Sequence, residues 1–198
     1  SPQQMFGAAM KTYFADKLGI EPEKIYTLSV MPCVAKKSEC EMELYYEEYA
    51  GHEIDGVITT RELVRMIRSA HISPETLVDI ESDRPMREGS GAGVIFGTTG
   101  GVMEAALRSA YYLLKHENPD ADAFKIVRSG SFQENKGVVE ADFTIDDIII
   151  KTAVVSGLAN TRALLGKIER GEVHYDFVEV MACPGGCVAG AGTMQPVK

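Results

Sequence analysis

The feature that most constrains this chain is Met181-Ala182-Cys183-Pro184-Gly185-Gly186-Cys187. It sets two thiols four positions apart on a glycine-rich turn, straight after the apolar run Phe177-Val178-Glu179-Val180. The same grammar occurs upstream, where Ile25 to Val30 is apolar and strand-like and runs into Met31-Pro32-Cys33. Two strands that each end in Met-x-Cys, 150 positions apart, read as two halves of one soft-metal site. The chain between them is then the scaffold that brings them together.

At 198 residues the chain can bury a substantial core, as one domain or as two closely joined lobes. A net charge of −9 argues against nucleic acid or an anionic membrane surface as partner. No apolar run approaches the roughly 20 residues of a membrane span, and no basic-then-apolar leader opens the chain, which begins inside a helix signal; a cytoplasmic setting is expected. Of the four cysteines, Cys33, Cys183 and Cys187 sit in Gly/Pro-flanked turns after apolar strands. A disulfide framework belongs to small secreted domains with poor cores, so a reduced, metal-binding set is expected instead.

Ser1-Pro2-Gln3-Gln4 has the form of a capping box, and Phe6, Met10, Tyr13, Phe14 and Leu18 follow helical spacing up to a stop at Gly19. Ile25 to Val30 is a predicted strand, Lys36 to Tyr49 is charged and helix-compatible, and Asp55 to Ile58 is a short buried strand. Thr59 or Thr60 caps a second amphipathic helix carrying Leu63, Val64, Ile67 and Ala70 on one face. Residues 73–93 lose their period and form a long connection of the kind that carries function. They lead into Val94 to Gly101 and a helix from about Val102 to Lys115. Phe124 to Val127, Val138 to Ile145 and Ile148 to Val155 read as strands, the last two antiparallel around Asp146-Asp147. Leu158 to Arg170 is a further helix, and Phe177 to Val180 is the final strand. This alternation predicts an α/β fold: two βα lobes with mainly parallel sheets, facing each other across a cleft that holds the site. Both Met-x-Cys runs fall beyond the carboxyl ends of strands, where such sheets place their sites.

Thiolates suit iron–sulfur clusters, zinc or copper(I). Zinc usually shows Cys-x-x-Cys or a Cys/His set, whereas here the pair is Cys-x-x-x-Cys and no histidine is near it in sequence. Iron–sulfur ligation is favoured. Pro184-Gly185-Gly186 removes one backbone donor and lets the chain wrap a bulky inorganic body closely. The plain alternative is a tight turn with two buried thiols.

Met31-Pro32-Cys33-Val34-Ala35-Lys36-Lys37-Ser38-Glu39 resembles the second signature of the iron-only (FeFe) hydrogenases, M-P-C-x-x-K-x-x-E, and Met181 to Cys187 resembles the core of the third. Gly89 to Ala105, Asp55 to Leu63 and Gln3-Gln4-Met5-Phe6-Gly7 are similar to the catalytic members as well, so the resemblance covers essentially the whole chain. It implies a catalytic domain holding the H-cluster, a 4Fe–4S cubane joined through a cysteine to a diiron unit with carbon monoxide, cyanide and azadithiolate. The implied reaction is reversible reduction of protons to dihydrogen, with ferredoxin or accessory iron–sulfur domains or subunits as electron partners.

By motif, the resemblance makes Cys33 and Cys183 cubane ligands and Cys187 both ligand and bridge to the diiron unit. Lys36 corresponds to the lysine that hydrogen-bonds a cyanide, a charge-assisted bond. Met31, Met181, Phe96 and Gln3 match positions lining the diiron pocket, where thioethers and a ring would exclude water. Glu39 matches the motif's closing glutamate and reads as a partner supporting that lysine. On composition alone, Lys36 would be a surface lysine, Glu39 one more solvated acid, and the apolar residues core.

The family's first signature, T-S-C-C-P, which supplies the fourth cubane ligand and the proton-passing cysteine, is absent. The chain thus reads as the downstream part of one H-cluster domain, residues 1–198, truncated on its N-terminal side and expected to assemble no active cluster by itself. Cys40 lies in an acidic helix-like segment, matches no motif and reads as a bystander. The run Gly190-Ala191-Gly192-Thr193-Met194-Gln195-Pro196 departs from the common G-G-G-Q-P ending. Two other readings stand beside the enzyme: a non-catalytic iron–sulfur protein of the cytosolic assembly type, and a dihydrogen-sensing homologue.

Overall fold

The structure is a computed structural model that describes residues 1–83, 89–129 and 137–194. The chain divides into two compact units, Ser1–Glu88 with Gly190–Lys198, and Gly89–Ala189.

The first unit opens on a helical run, α1 (Pro2–Ala9), a π-helical turn (Met10–Phe14) and α2 (Ala15–Leu18). Gly19, at φ 64°, ends it in the left-handed conformation that costs glycine little. The capping box expected at its start does not form. The Ser1 hydroxyl instead donates to the Glu39 carboxylate, and its oxygen accepts no N–H of the first turn. The side of this run that is buried is Gln3, Gln4, Gly7, Lys11 and Ala15, while Phe6, Tyr13 and Leu18 are exposed.

Strand β1 (Leu28–Met31) begins later than its apolar run, because Ile25 closes a 3-10 turn over Pro22–Lys24. The acidic segment is helical only over α3 (Ala35–Cys40). It continues through a 3-10 turn (Glu43–Tyr45) into the small hairpin β2 (Tyr46–Glu47) and β3 (Gly51–His52). Strand β4 (Gly56–Thr59) pairs parallel with β1 from Leu28↔Gly56 to Met31↔Thr59. Thr59 caps α4 (Thr60–Ser69) in a full capping box with Glu62. Leu63, Val64 and Ile67 of α4 are only half-buried.

In the second unit the aperiodic connection gives way to α5 (Gly91–Ile95), capped by the Ser90 hydroxyl; residues 84–88 of that connection lie outside the described residues. Helix α6 (Gly101–Lys115) forms as its period predicts. Phe124 to Val127 is not a strand: it is a turn running into the short helix α7 (Ile126–Ser129). Its apolar character is still explained, since Phe124 and Val127 are core residues; so short an apolar run does not by itself distinguish strand from helix.

Strands β5 (Val138–Ile145) and β6 (Ile148–Ser156) pair antiparallel around Asp146, which takes a left-handed φ of 53°. Helix α8 (Leu158–Glu169) crosses over to β7 (Phe177–Met181), which lies parallel to β6 in the order β5-β6-β7. Met103, Leu107, Phe124, Val127, Phe143, Ile145 and Val154 pack together as one core cluster, and Ala153, Val155 and Leu164 as another. Strand β6 thus contributes buried side chains to both. The α/β class with parallel, helix-linked strand pairs is as expected.

Candidate metal centre

In the second unit β7 ends at Met181, 7% exposed, and delivers the cysteine turn beyond the carboxyl end of the sheet. Gly185 and Gly186 both have left-handed φ, 85° and 89°, and the Gly186 N–H donates to the Cys183 carbonyl at 2.9 Å. A Cβ on Gly186 would stand 2.5 Å from the Gly97 oxygen and 2.7 Å from the Thr99 nitrogen, so only glycine fits. The Val188 N–H donates to the same Gly97 oxygen at 3.0 Å. The turn is thereby seated on the segment that follows Phe96, a half-buried ring at the end of α5. Cys183 and Cys187 are exposed and in no disulfide, and the Cys187 Sγ lies 4.0 Å from the Met181 Sδ.

That seating depends on a residue the sequence reading passed over. Glu179 of β7 is buried, and its two carboxylate oxygens accept the N–H groups of Gly100 and Met103, each at 2.7 Å. An anion at the free N–H groups of a helix start is favourable both as hydrogen bonding and against the helix dipole. The available signal was an acid placed inside a short apolar strand, together with a glycine-rich helix start elsewhere in the chain.

In the first unit Met31 and Cys33 are half-buried at the carboxyl end of β1, and Cys33 is a free thiol. Lys36, in the first turn of α3, donates through its ammonium to Glu39. Burial pushes the Glu39 carboxyl up, but hydrogen bonds from Lys36 and Ser1 and the nearby positive charge outweigh it and leave its pKa lowered. Gln3 is buried; its Oε1 accepts the Ser29 hydroxyl at 2.8 Å and its Nε2 donates to the Lys36 carbonyl at 3.5 Å. Cys40 is buried, its Sγ 3.0 Å from the Lys37 carbonyl, and burial raises its thiol pKa.

Beneath these residues lies a second feature missed from sequence. Lys11, 2% exposed, donates to the carbonyls of Ala50 (3.1 Å) and His52 and to Asp55 Oδ1 at 2.7 Å. Asp55 Oδ2 accepts the Thr27 N–H and hydroxyl at 2.6 and 2.9 Å. Burial raises the Asp55 carboxyl, yet the bonds from Lys11 and Thr27 prevail and hold it below the ordinary carboxylate range.

Among the described residues no three His, Cys, Asp or Glu side chains stand together as an ion site. The donors come as one thiol in the first unit and a pair in the second. The chemistry of that set fits an iron–sulfur cluster: soft cysteine sulfurs in no disulfide, two of them exposed on a glycine-rich turn, with a thioether beside one. Among the described residues no helix is long and apolar enough to cross a membrane.

Residues 1–191 match the family described as iron only hydrogenase large subunit, C-terminal domain. Iron hydrogenase 1 of Clostridium pasteurianum is 44% identical over 97% of this chain and 32% of its own length. The periplasmic Fe hydrogenase large subunit of Nitratidesulfovibrio vulgaris is 42% identical over 100% of this chain and 45% of its own. A cytosolic Fe-S cluster assembly factor, narfl of Danio rerio, is 34% identical over 99% of this chain and 47% of its own. A solved variant of the FeFe-hydrogenase HydA1 from Chlamydomonas reinhardtii superposes with a TM-score of 0.78 at 36% identity, covering all of this chain and 56% of that one. The chain thus spans about a third to a half of the curated relatives it matches. With most of its length matched by that profile and by relatives well above 30% identity, this chain belongs to the iron-only hydrogenase large-subunit family.

Proposed function

We propose that this chain is part of an H-cluster domain, with Cys33, Cys183 and Cys187 as ligands of a 4Fe–4S cubane and Cys187 also bridging to a diiron unit. The whole protein is then a ferredoxin-type hydrogenase interconverting protons and dihydrogen. The observation that carries this reading is the exposed pair Cys183 and Cys187 on a turn that its glycines seat closely against Gly97 to Thr99, at the carboxyl end of a strand. Held there, a cluster of this kind would supply electrons and a metal at which protons and dihydrogen react. The chain's own residues bind and shape the surroundings. Lys36 offers an ammonium for an anionic ligand, with Glu39 fixing its direction. Met31, Met181 and Phe96 present polarizable and aromatic surface that excludes water, and Gln3 supplies one oriented amide. Ferredoxin or accessory iron–sulfur domains deliver the electrons. The four cysteines, none of them in a disulfide, accord with a reducing, cytoplasmic setting.

A second reading, a non-catalytic iron–sulfur protein, is favoured by the 34% identity to assembly factors, but identity to the hydrogenases reaches 45%. Infrared spectroscopy of the full-length protein, matured anaerobically, separates the two. Carbon monoxide and cyanide stretching bands are expected for the hydrogenase. A cubane electron-paramagnetic signal without those bands points to the assembly type, and full iron content in a Cys33→Ser, Cys183→Ser or Cys187→Ser variant overturns the ligand set.

A further inference from the structure

Gly190 to Met194, the described part of the run in which this chain departs from the common family ending, is a bonded segment. It belongs to the first unit, whereas Cys187, three positions before it, belongs to the second. Gly192 is buried and bonded through both of its backbone polar groups. Its N–H donates to the Pro32 carbonyl at 3.0 Å, and its own carbonyl accepts the Arg61 N–H at 3.0 Å. Arg61 stands in the first turn of α4, so that N–H has no partner within the helix. The Arg61 guanidinium adds a bond to the Thr193 carbonyl, also at 3.0 Å. Contact is close: a Cβ on Gly192 would lie 3.0 Å from both the Pro32 carbonyl carbon and the Thr59 Cβ.

The Pro32 carbonyl is half of the peptide group whose other half is the nitrogen of Cys33. Gly192 therefore grips the backbone at the cysteine itself. On the far side of Cys33 the chain is tied through α3, by Gln3 to the Lys36 carbonyl and by the Lys37–Glu62 ion pair at 2.6 Å. These hold the helix and leave the peptide before the thiol to the C-terminal segment. We propose that residues 190–193 form a backbone clasp that positions Cys33, with Gly192 and Arg61 as positioning residues. The proposal rests on Cys33 being a cluster ligand, and a ligand held in place before the metal arrives loses less freedom on binding it.

The test is timed alkylation of the metal-free full-length protein with iodoacetamide, read at each cysteine by mass spectrometry. Gly192→Val is expected to raise the Cys33 rate about tenfold, the change that corresponds to about 1.4 kcal/mol of easier local opening. Cys183, Cys187 and the buried Cys40 should keep their wild-type rates. Arg61→Ala should give a smaller rise, reversed in Arg61→Lys, which can still reach the Thr193 carbonyl. An unchanged Cys33 rate in both variants overturns the clasp, and so does a rise at all four cysteines, which would mean general loosening. In reconstituted protein Gly192→Val should also shift the midpoint potential of the cubane. If wild-type iron is retained in Cys33→Ser while the alkylation pattern appears as expected, the ligand assignment fails and the clasp stands.

Discussion

The two units each end a parallel strand in Met-x-Cys, but they are held together by different matter. The second unit buries Met103, Leu107, Phe124, Val127, Phe143, Ile145 and Val154, with Phe124 edge-on to both Tyr111 and Phe143. The described interior of the first unit is largely polar: Gln3, Gln4, Lys11, Thr27, Ser29 and Thr59, filled out by Ala15, Ala50 and Ile54. In β1 the pattern is inverted, with Ser29 buried and Leu28 and Val30 exposed. Apolar burial is non-directional and tolerates small shifts, whereas a buried ammonium keeps its stability only while every partner stays in place. Cys33 therefore sits on a scaffold specified largely by hydrogen bonds, and Cys183 and Cys187 on one specified by apolar packing together with the Glu179 bonds to Gly100 and Met103.

The hardest blow to that contrast is Asp55→Ala. It leaves the Lys11 ammonium buried with only carbonyl partners, and removal of one member of such a pair costs on the order of 4 kcal/mol. Urea unfolding should show this, with amide protection lost in α1 and β1 and retained in β5 and β6. A cost under about 1 kcal/mol would mean the polar interior is not what holds the first unit. In the second unit Met103→Ala should cost about 3 kcal/mol through lost burial and the cavity left behind, with the reverse pattern of amide protection.

Acid sharpens the comparison. The Asp55 carboxyl is lowered in the folded state, so its contribution is complete above the ordinary carboxylate pKa of about 4 and is lost as pH falls toward the folded value. Glu39, also lowered, acts in the same direction and in the same unit. Hydrogen exchange followed from pH 6 to about 3 should therefore open the first unit before β5 and β6. The smallest expected effect is Glu179→Gln, which sets an amide N–H₂ or a single oxygen against two helix N–H groups. It should cost about 1–2 kcal/mol and raise exchange at Gly100 and Met103.

Legibility in the sequence followed the range of the interaction. Helix α6, the β5–β6 hairpin and α8 could be read because their periods and turn residues are local. The Thr59 cap could be read for the same reason, since its partner Glu62 is three residues away. At Ser1 the same pattern failed: the side chain turns to Glu39, 38 positions away, a partner that no local pattern reveals. Phe6, Tyr13 and Leu18 keep helical spacing and still lie exposed, since what a helix buries depends on what packs against it.

What the sequence determined by itself is the two Met-x-Cys runs, their place beyond the carboxyl ends of β1 and β7, the α/β class and the family. Each of these is written in contiguous residues or in short periods. Only the tertiary structure decided that Lys11 bonds Asp55, that Glu179 holds the start of α6 and that Gly192 grips Pro32. Those pairs are 44, 79 and 160 positions apart, and a hydrogen bond formed across such a distance leaves no periodic trace along the chain.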